Sequence, residues 1–188
     1  MTSADRERWD RKYAAGNPSP APAPNPLLAR FAHLLDGRGV ALDVACGIGQ
    51  NAIALAARGY RVLGVDGSRR ALEHARAAIA ERGLAVQLVH ADLDTFALAP
   101  DACALIAVFR YLDRRLFVRL REWLAPGGLL LYETFNVNQR RVAPQMNPDY
   151  LLAPGELARA FEDFQTIGTN DAPANTSALT YWVGRRPR

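Results

Sequence analysis

The chain has 188 residues, 49% hydrophobic and 22% charged, which is the size and balance of one folded domain around a central sheet and excludes global disorder. Two cysteines form neither a disulfide framework nor a metal-ligand spacing, so no metal is expected and a reducing cytoplasm is the expected compartment. The net charge of +4 is carried by arginine, Lys12 being the only lysine; the pairs Arg69-Arg70, Arg114-Arg115, Arg140-Arg141 and Arg185-Arg186 are scattered without interleaved aromatics, which favours solvated arginines over a nucleic-acid footprint.

The first residues, with Asp5, Arg6, Glu7 and Arg8, lack an apolar signal core, and no apolar run is long enough to span a bilayer. Export and membrane insertion are therefore not expected. Residues 4–14 read as a short charged helix carrying Trp9 and Tyr13, and the proline-rich run 18–26 reads as extended or irregular. Asn25 is placed to cap a helix opening at Pro26, whose apolar face is Leu27, Leu28, Phe31, Leu34 and Leu35. This gives an expected division into an N-terminal lid, strap and docking helix (residues 1–36) and a core (37–188).

The core opens with an apolar strand, Val40–Val44, that runs into Ala45-Cys46-Gly47-Ile48-Gly49-Gln50-Asn51 and a helix over 51–58. Glycines at this point let the backbone turn sharply and approach a ligand closely. Their spacing alone suits a dinucleotide as well as other nucleotide-like cofactors. Asp43 separates the two: a carboxylate aimed at this space repels a pyrophosphate but attracts the ammonium and sulfonium of S-adenosylmethionine (SAM).

A second strand, Arg61–Asp66, ends in an acid seventeen residues beyond Gly49, near the roughly 20 of a βαβ unit. Ser68 caps a helix running to Arg82, with Leu72, Ala75 and Ile79 on one face and Gly83 beyond its end. A third strand covers 86–92, a fourth 104–109, a helix 113–124 and a fifth strand 128–133. These nearly continuous apolar runs suit parallel strands covered on both faces. A helix opens at Pro154-Gly155-Glu156, and 164–169 and 178–184 read as two further strands. The long segment 137–153 reads as a loop over the acceptor pocket.

Leu42-Asp43-Val44-Ala45-Cys46-Gly47-Ile48-Gly49 resembles the first motif of the class I SAM-dependent methyltransferases, with Ala45 where many members have glycine. Val62-Leu63-Gly64-Val65-Asp66, His90-Ala91-Asp92 and Leu124-Ala125-Pro126-Gly127-Gly128 resemble the motifs that follow it, in the same order. The resemblance implies a Rossmann-like doubly wound α/β sheet of seven strands in the order 3-2-1-4-5-7-6, the last strand antiparallel. It implies SAM as cofactor, with S-adenosyl-L-homocysteine as product. The implied cofactor contacts are Asp43, Ala45, Gly47, Gly49 and Asn51 at the turn, Asp66, Gly67 and Ser68 for the ribose, Asp92 and Leu93 near the adenine, and Phe109. Trp9-Asp10-Arg11-Lys12-Tyr13 is similar to a segment of small stand-alone members of the tellurite-resistance and thiopurine types, where it helps cover the cofactor, so Trp9 and Tyr13 join the set.

The donor is already activated, so catalysis rests on holding a nucleophile in line and, where the acceptor carries a proton, on a base. The strand ends supply Arg110 to hold an anionic acceptor, Tyr111 to orient it and Glu133 to accept a proton. An Arg110–Glu133 pair and a lid role for Tyr111 are the competing structural readings. Cys46 reads as a packing residue, and His33 and His74 as boundary residues. Asn147-Pro148-Asp149-Tyr150 has the look of an exocyclic-amine methylation motif but lies far from the end of the fourth strand. The favoured function is methyl transfer from SAM to a small, anionic or soft nucleophile. The alternatives are an RNA or protein methyltransferase, a non-catalytic SAM-binding protein, or a nicotinamide-dependent dehydrogenase. No sequence feature specifies an oligomeric state.

Overall fold

The computed structural model describes residues 9–11, 13–14, 22–172 and 175–188. The chain divides into two compact units, Met1–Leu98 and Ala99–Arg188.

In the first unit, residues 9–11 and 13–14 are helical; the remainder of the expected 4–14 helix, residues 15–17 and residues 18–21 of the proline-rich run lie outside the described residues. Helix α1 (Pro26–Arg30) starts where Asn25 accepts a hydrogen bond from the Leu27 amide (2.9 Å) and proline occupies the first turn. It is shorter than its apolar pattern predicts, tightening into a 3₁₀ turn at Ala32–Leu34. Strand β1 (Val40–Val44) leads through the glycine turn into α2 (Gln50–Ala56), followed by β2 (Arg61–Asp66), α3 (Arg69–Ala80) and β3 (Val86–His90). Both β1 and β3 pair parallel with β2, setting Asp43 opposite Gly64 and Asp66 opposite His90. Helix α3 buries Ala71, Leu72, Ala75 and Ile79, the face its 3.6-residue period predicts. Gly49 caps α2 at φ +82°, and a Cβ there would lie 3.0 Å from that of Ala75, so glycine serves both the turn and the close approach of α3.

The second unit comprises β4 (Cys103–Phe109), α4 (Leu116–Trp123), β5 (Leu124–Phe135), α5 (Glu156–Ala160), β6 (Gln165–Thr169) and β7 (Leu179–Arg185). Strand β5 pairs parallel with β4, and β7 runs antiparallel to both β5 and β6. Its core is aromatic: Phe161 stacks on Trp182 at 5.2 Å and meets Phe117 edge-on at 5.5 Å. All seven strands belong to one sheet of order β3-β2-β1-β4-β5-β7-β6, the expected order.

Three boundaries differ from the sequence reading. Pro126-Gly127-Gly128 is not a turn ahead of a strand but a bulge inside β5, held because Gly127 donates to Arg186 O (3.0 Å) and Arg186 donates to Gly128 O (3.0 Å). Helix α4 starts three residues late, since Asp113 ties up the Arg115 amide (3.0 Å). Strand β3 stops at His90, because Asp92 accepts from Asp94 N (3.0 Å) and opens a turn. Among the described residues, no helix is long and apolar enough to cross a membrane.

Candidate active site

The turn after β1 is built on three residues with positive φ: Ala45 (54°), Gly47 (55°) and Gly49 (82°). Ala45 pays the left-handed conformation with a Cβ that glycine lacks, a cost of roughly 1–2 kcal/mol, against the roughly 0.5–1 kcal/mol by which glycine favours the unfolded chain. Ala45→Gly is therefore expected to stabilise the protein by about 0.5–1 kcal/mol, read as a raised unfolding midpoint with SAM affinity within twofold.

Asp43 is 1% exposed, and neither of its carboxylate oxygens has a hydrogen-bond partner. Burial pushes its pKa up to about 8; the Ala52 backbone amide lowers it in part without reaching hydrogen-bond geometry, and the nearby Asp66 raises it further. Asp66 is held differently. It accepts from the Gly47 amide (2.7 Å) and the Ser68 amide (2.7 Å), so it pins the glycine turn to the start of α3. Burial still raises its pKa above the usual carboxylate range, and the two amides offset this in part. Among the described residues neither acid is paired with an arginine or lysine.

Two further contacts order the surroundings of this turn. His90 Nε2 meets Gly67 O at 3.1 Å, and Asn51, 5% exposed, accepts the backbone amide of Asn25 at 2.7 Å, tying α1 to α2. Asn51, expected among the cofactor contacts, uses its side-chain oxygen here to anchor the chain entering α1. Leu93 is buried behind the Asp92 turn. Cys46 is buried with its thiol pKa raised well above normal by desolvation and the two acids, as fits a packing residue and not a nucleophile. On the N-terminal segment, Trp9 stacks on Tyr13 with centroids 6.1 Å apart, and a Cβ on Gly47 would lie 3.3 Å from the Tyr13 hydroxyl. Trp9, Tyr13, Asp43, Gly47, Asp66 and Ser68 are thereby gathered on one unit.

In the second unit, Phe109 is buried at the end of β4 and Arg110 follows it at φ +60°, a conformation costly for a residue with a side chain. Its amide donates to Glu133 O (2.8 Å), its guanidinium lies 3.3 Å from Glu133 Oε1, and the same group sits over the Phe135 ring at 5.1 Å. The Arg110–Glu133 pair, the structural reading that competes with an acceptor role for Arg110, is present, and Phe135 is a partner that sequence reasoning missed. Tyr111 offers its carbonyl to the buried Tyr132 hydroxyl at 3.0 Å. Asn147 accepts the Asp149 amide (2.9 Å) and caps a 3₁₀ turn, while Asp149 O accepts from Arg114 (2.7 Å), which explains that segment structurally.

An orphaned buried carboxylate beside a glycine cradle fits a cationic ligand and is hostile to a pyrophosphate. Together with the strand order, this defines a Rossmann-like methyltransferase architecture. A family model described as a methyltransferase domain matches residues 41–128. The chain is 31% identical over 160 residues to a ubiquinone biosynthesis O-methyltransferase of Thiobacillus denitrificans, covering 72% of this chain and 68% of that protein. It is 28% identical over 150 residues to a protein of the same name from Aromatoleum aromaticum, covering 63% and 59%. A SAM-dependent methyltransferase structure from Mesorhizobium loti superposes with a TM-score of 0.68 at 21% identity, covering 86% of this chain and 97% of that one. The chain belongs to the class I SAM-dependent methyltransferases, and SAM is its methyl donor.

Proposed function

We propose that this enzyme transfers the methyl group of SAM to an oxygen of a small, anionic organic acceptor. The observation that carries the reading is Arg110: a cation held between Glu133 and Phe135 in a strained backbone conformation, with 42% of its side chain exposed. A guanidinium fixed in this way retains donors for an acceptor carboxylate or oxyanion. Glu133, its side chain 12% exposed, is the group to take the proton from an acceptor hydroxyl. The relatives named for O-methylation support an oxygen acceptor.

When bound, SAM supplies an electrophilic methyl group on a cationic sulfur. Asp43 balances that charge, the Gly47–Gly49 backbone admits the ligand closely, Asp66 holds the ribose hydroxyls, and Asp92 with Leu93 borders the adenine. The arginines argue against an RNA footprint. Arg114 is paired with Glu156 (2.6 Å), Arg115 with Asp113 (2.7 Å), Arg121 with Asp163 and Arg186 with Asp101, so much of the positive charge is engaged within the fold.

A screen of methyl transfer from labelled SAM across phenols and hydroxy acids, thiols, halides, chalcogen oxyanions and bulk RNA tests the proposal. Turnover is expected with the phenols or hydroxy acids; steeply salt-dependent methylation of RNA would replace it. With the acceptor so found, Glu133→Gln is expected to lower kcat about 100-fold, recovering as pH rises through the acceptor's own pKa. Unchanged kcat would remove Glu133 from the chemistry.

A further inference from the structure

Within the Trp9–Tyr13 segment Asp10 carries no expected role of its own, yet the fold gives it a definite place. Its carboxylate accepts the Ser68 hydroxyl at 2.5 Å and the Arg70 amide at 3.3 Å, at the start of α3. Ser68 acts twice there, since the same hydroxyl oxygen accepts the Ala71 amide at 3.2 Å. One turn further along α3, His74 Nε2 meets Tyr13 O at 3.1 Å. The short segment carrying Trp9 and Tyr13 is thus fastened at two points to a twelve-residue helix whose N-terminus favours an anion. The fastening is adjacent to the groups that bind the turn together: Ser68 N is one of the two donors to Asp66, and Gly47 N, beneath the Tyr13 hydroxyl, is the other. Asp10 also lies close enough to raise the pKa of Asp66, as Asp66 does that of Tyr13.

We propose that Asp10 is a positioning residue for SAM: its bonds to Ser68 and Arg70, with the His74 contact, latch the Trp9–Tyr13 segment beside the glycine turn. The inference rests on the reading that Asp43, the glycine turn and Asp66 hold SAM. A segment this short has no stability of its own as a helix, so its position is set by the latch and not by propensity. The conformational freedom it loses on docking is a cost that SAM binding must otherwise offset.

Asp10→Ala is expected to raise the SAM dissociation constant by about tenfold, the effect of one charge-assisted hydrogen bond, without lowering the unfolding midpoint of the SAM-free protein. Asp10→Asn, which keeps an acceptor oxygen for Ser68 and Arg70, is expected to recover most of the affinity. Acrylamide quenching reads the segment directly, because Trp123 and Trp182 are 2% and 0% exposed and Trp9 is the accessible indole. SAM is expected to protect Trp9 in the parent and fail to protect it in Asp10→Ala. Parent-like affinity and protection in Asp10→Ala, with Asp66→Ala weakened, would overturn the latch and leave the site standing. Parent-like affinity in both variants would overturn the site reading as well.

Discussion

Asp43→Asn is expected to stabilise the SAM-free protein at neutral pH while weakening its hold on SAM. Burial lifts the Asp43 pKa from 3.8 to about 8, so the folded chain keeps a proton that the unfolded chain releases. The contribution of a group shifted this way is fully present below pH 3.8 and is lost as pH rises to about 8. At pH 7 the loss amounts to on the order of 4 kcal/mol at most. A carboxamide does not ionise but is itself buried without partners, which leaves a net gain of about 2 kcal/mol. Urea unfolding at pH 5.5, 7 and 8.5 without SAM measures this: the parent should lose stability across the series, and Asp43→Asn should lose much less. The residual slope belongs to Asp66, whose pKa is raised in the same direction. A bound cation favours the ionised carboxylate, so SAM binding by the parent at pH 7 is expected to release close to one proton, measured by calorimetry in buffers of different ionisation enthalpy. Equal proton release by Asp43→Asn would show that the charge is balanced elsewhere.

Asp66→Ala is expected to cost more than the ribose contact alone. The proposed ribose contact, a hydrogen bond to an ionised group, would account for about 1.5–3 kcal/mol of SAM affinity. The same carboxylate also accepts the Gly47 and Ser68 amides, so its loss releases the glycine turn from the start of α3. SAM affinity is expected to fall by at least 100-fold, about 3 kcal/mol, accompanied by a lower unfolding midpoint. Asp66→Asn separates the two roles, since one oxygen remains for one amide. An Asp66→Ala protein that bound SAM normally would refute both.

The fold and the SAM cofactor were legible for definite reasons. Val40–Val44 and Arg61–Asp66 are short apolar runs each closed by or carrying one acid, and the interval between the glycine turn and Asp66 is that of a βαβ unit. Pro126-Gly127-Gly128 reads as a turn from the sequence and is a bulge in the fold, because the bonds that hold it within β5 come from Arg186, far along the chain. Helix α1 ends early for a similar reason: its apolar period continues past Arg30, but the backbone tightens at Phe31.

The acceptor side was legible only as a choice. Sequence placed Arg110, Tyr111 and Glu133 near strand ends, whereas the positive φ of Arg110 and its position over Phe135 depend on the register of β4 against β5, Phe109 opposite Glu133. His74 had no sequence signal, and its contact with Tyr13 spans 61 positions.

By itself the amino-acid sequence determined the architecture and the cofactor, since apolar periodicity and glycine turns are local properties of the chain, as are the acids at Asp43 and Asp66 on which the proposed site rests. Tertiary structure decided that Asp43 is buried without a partner, that Asp66 joins the glycine turn to α3, and that Asp10 fastens the N-terminal segment there. Desolvation and hydrogen bonding depend on which groups surround a residue in space, and those neighbours include Gly47, 19 positions from Asp66, and Ser68, 58 positions from Asp10.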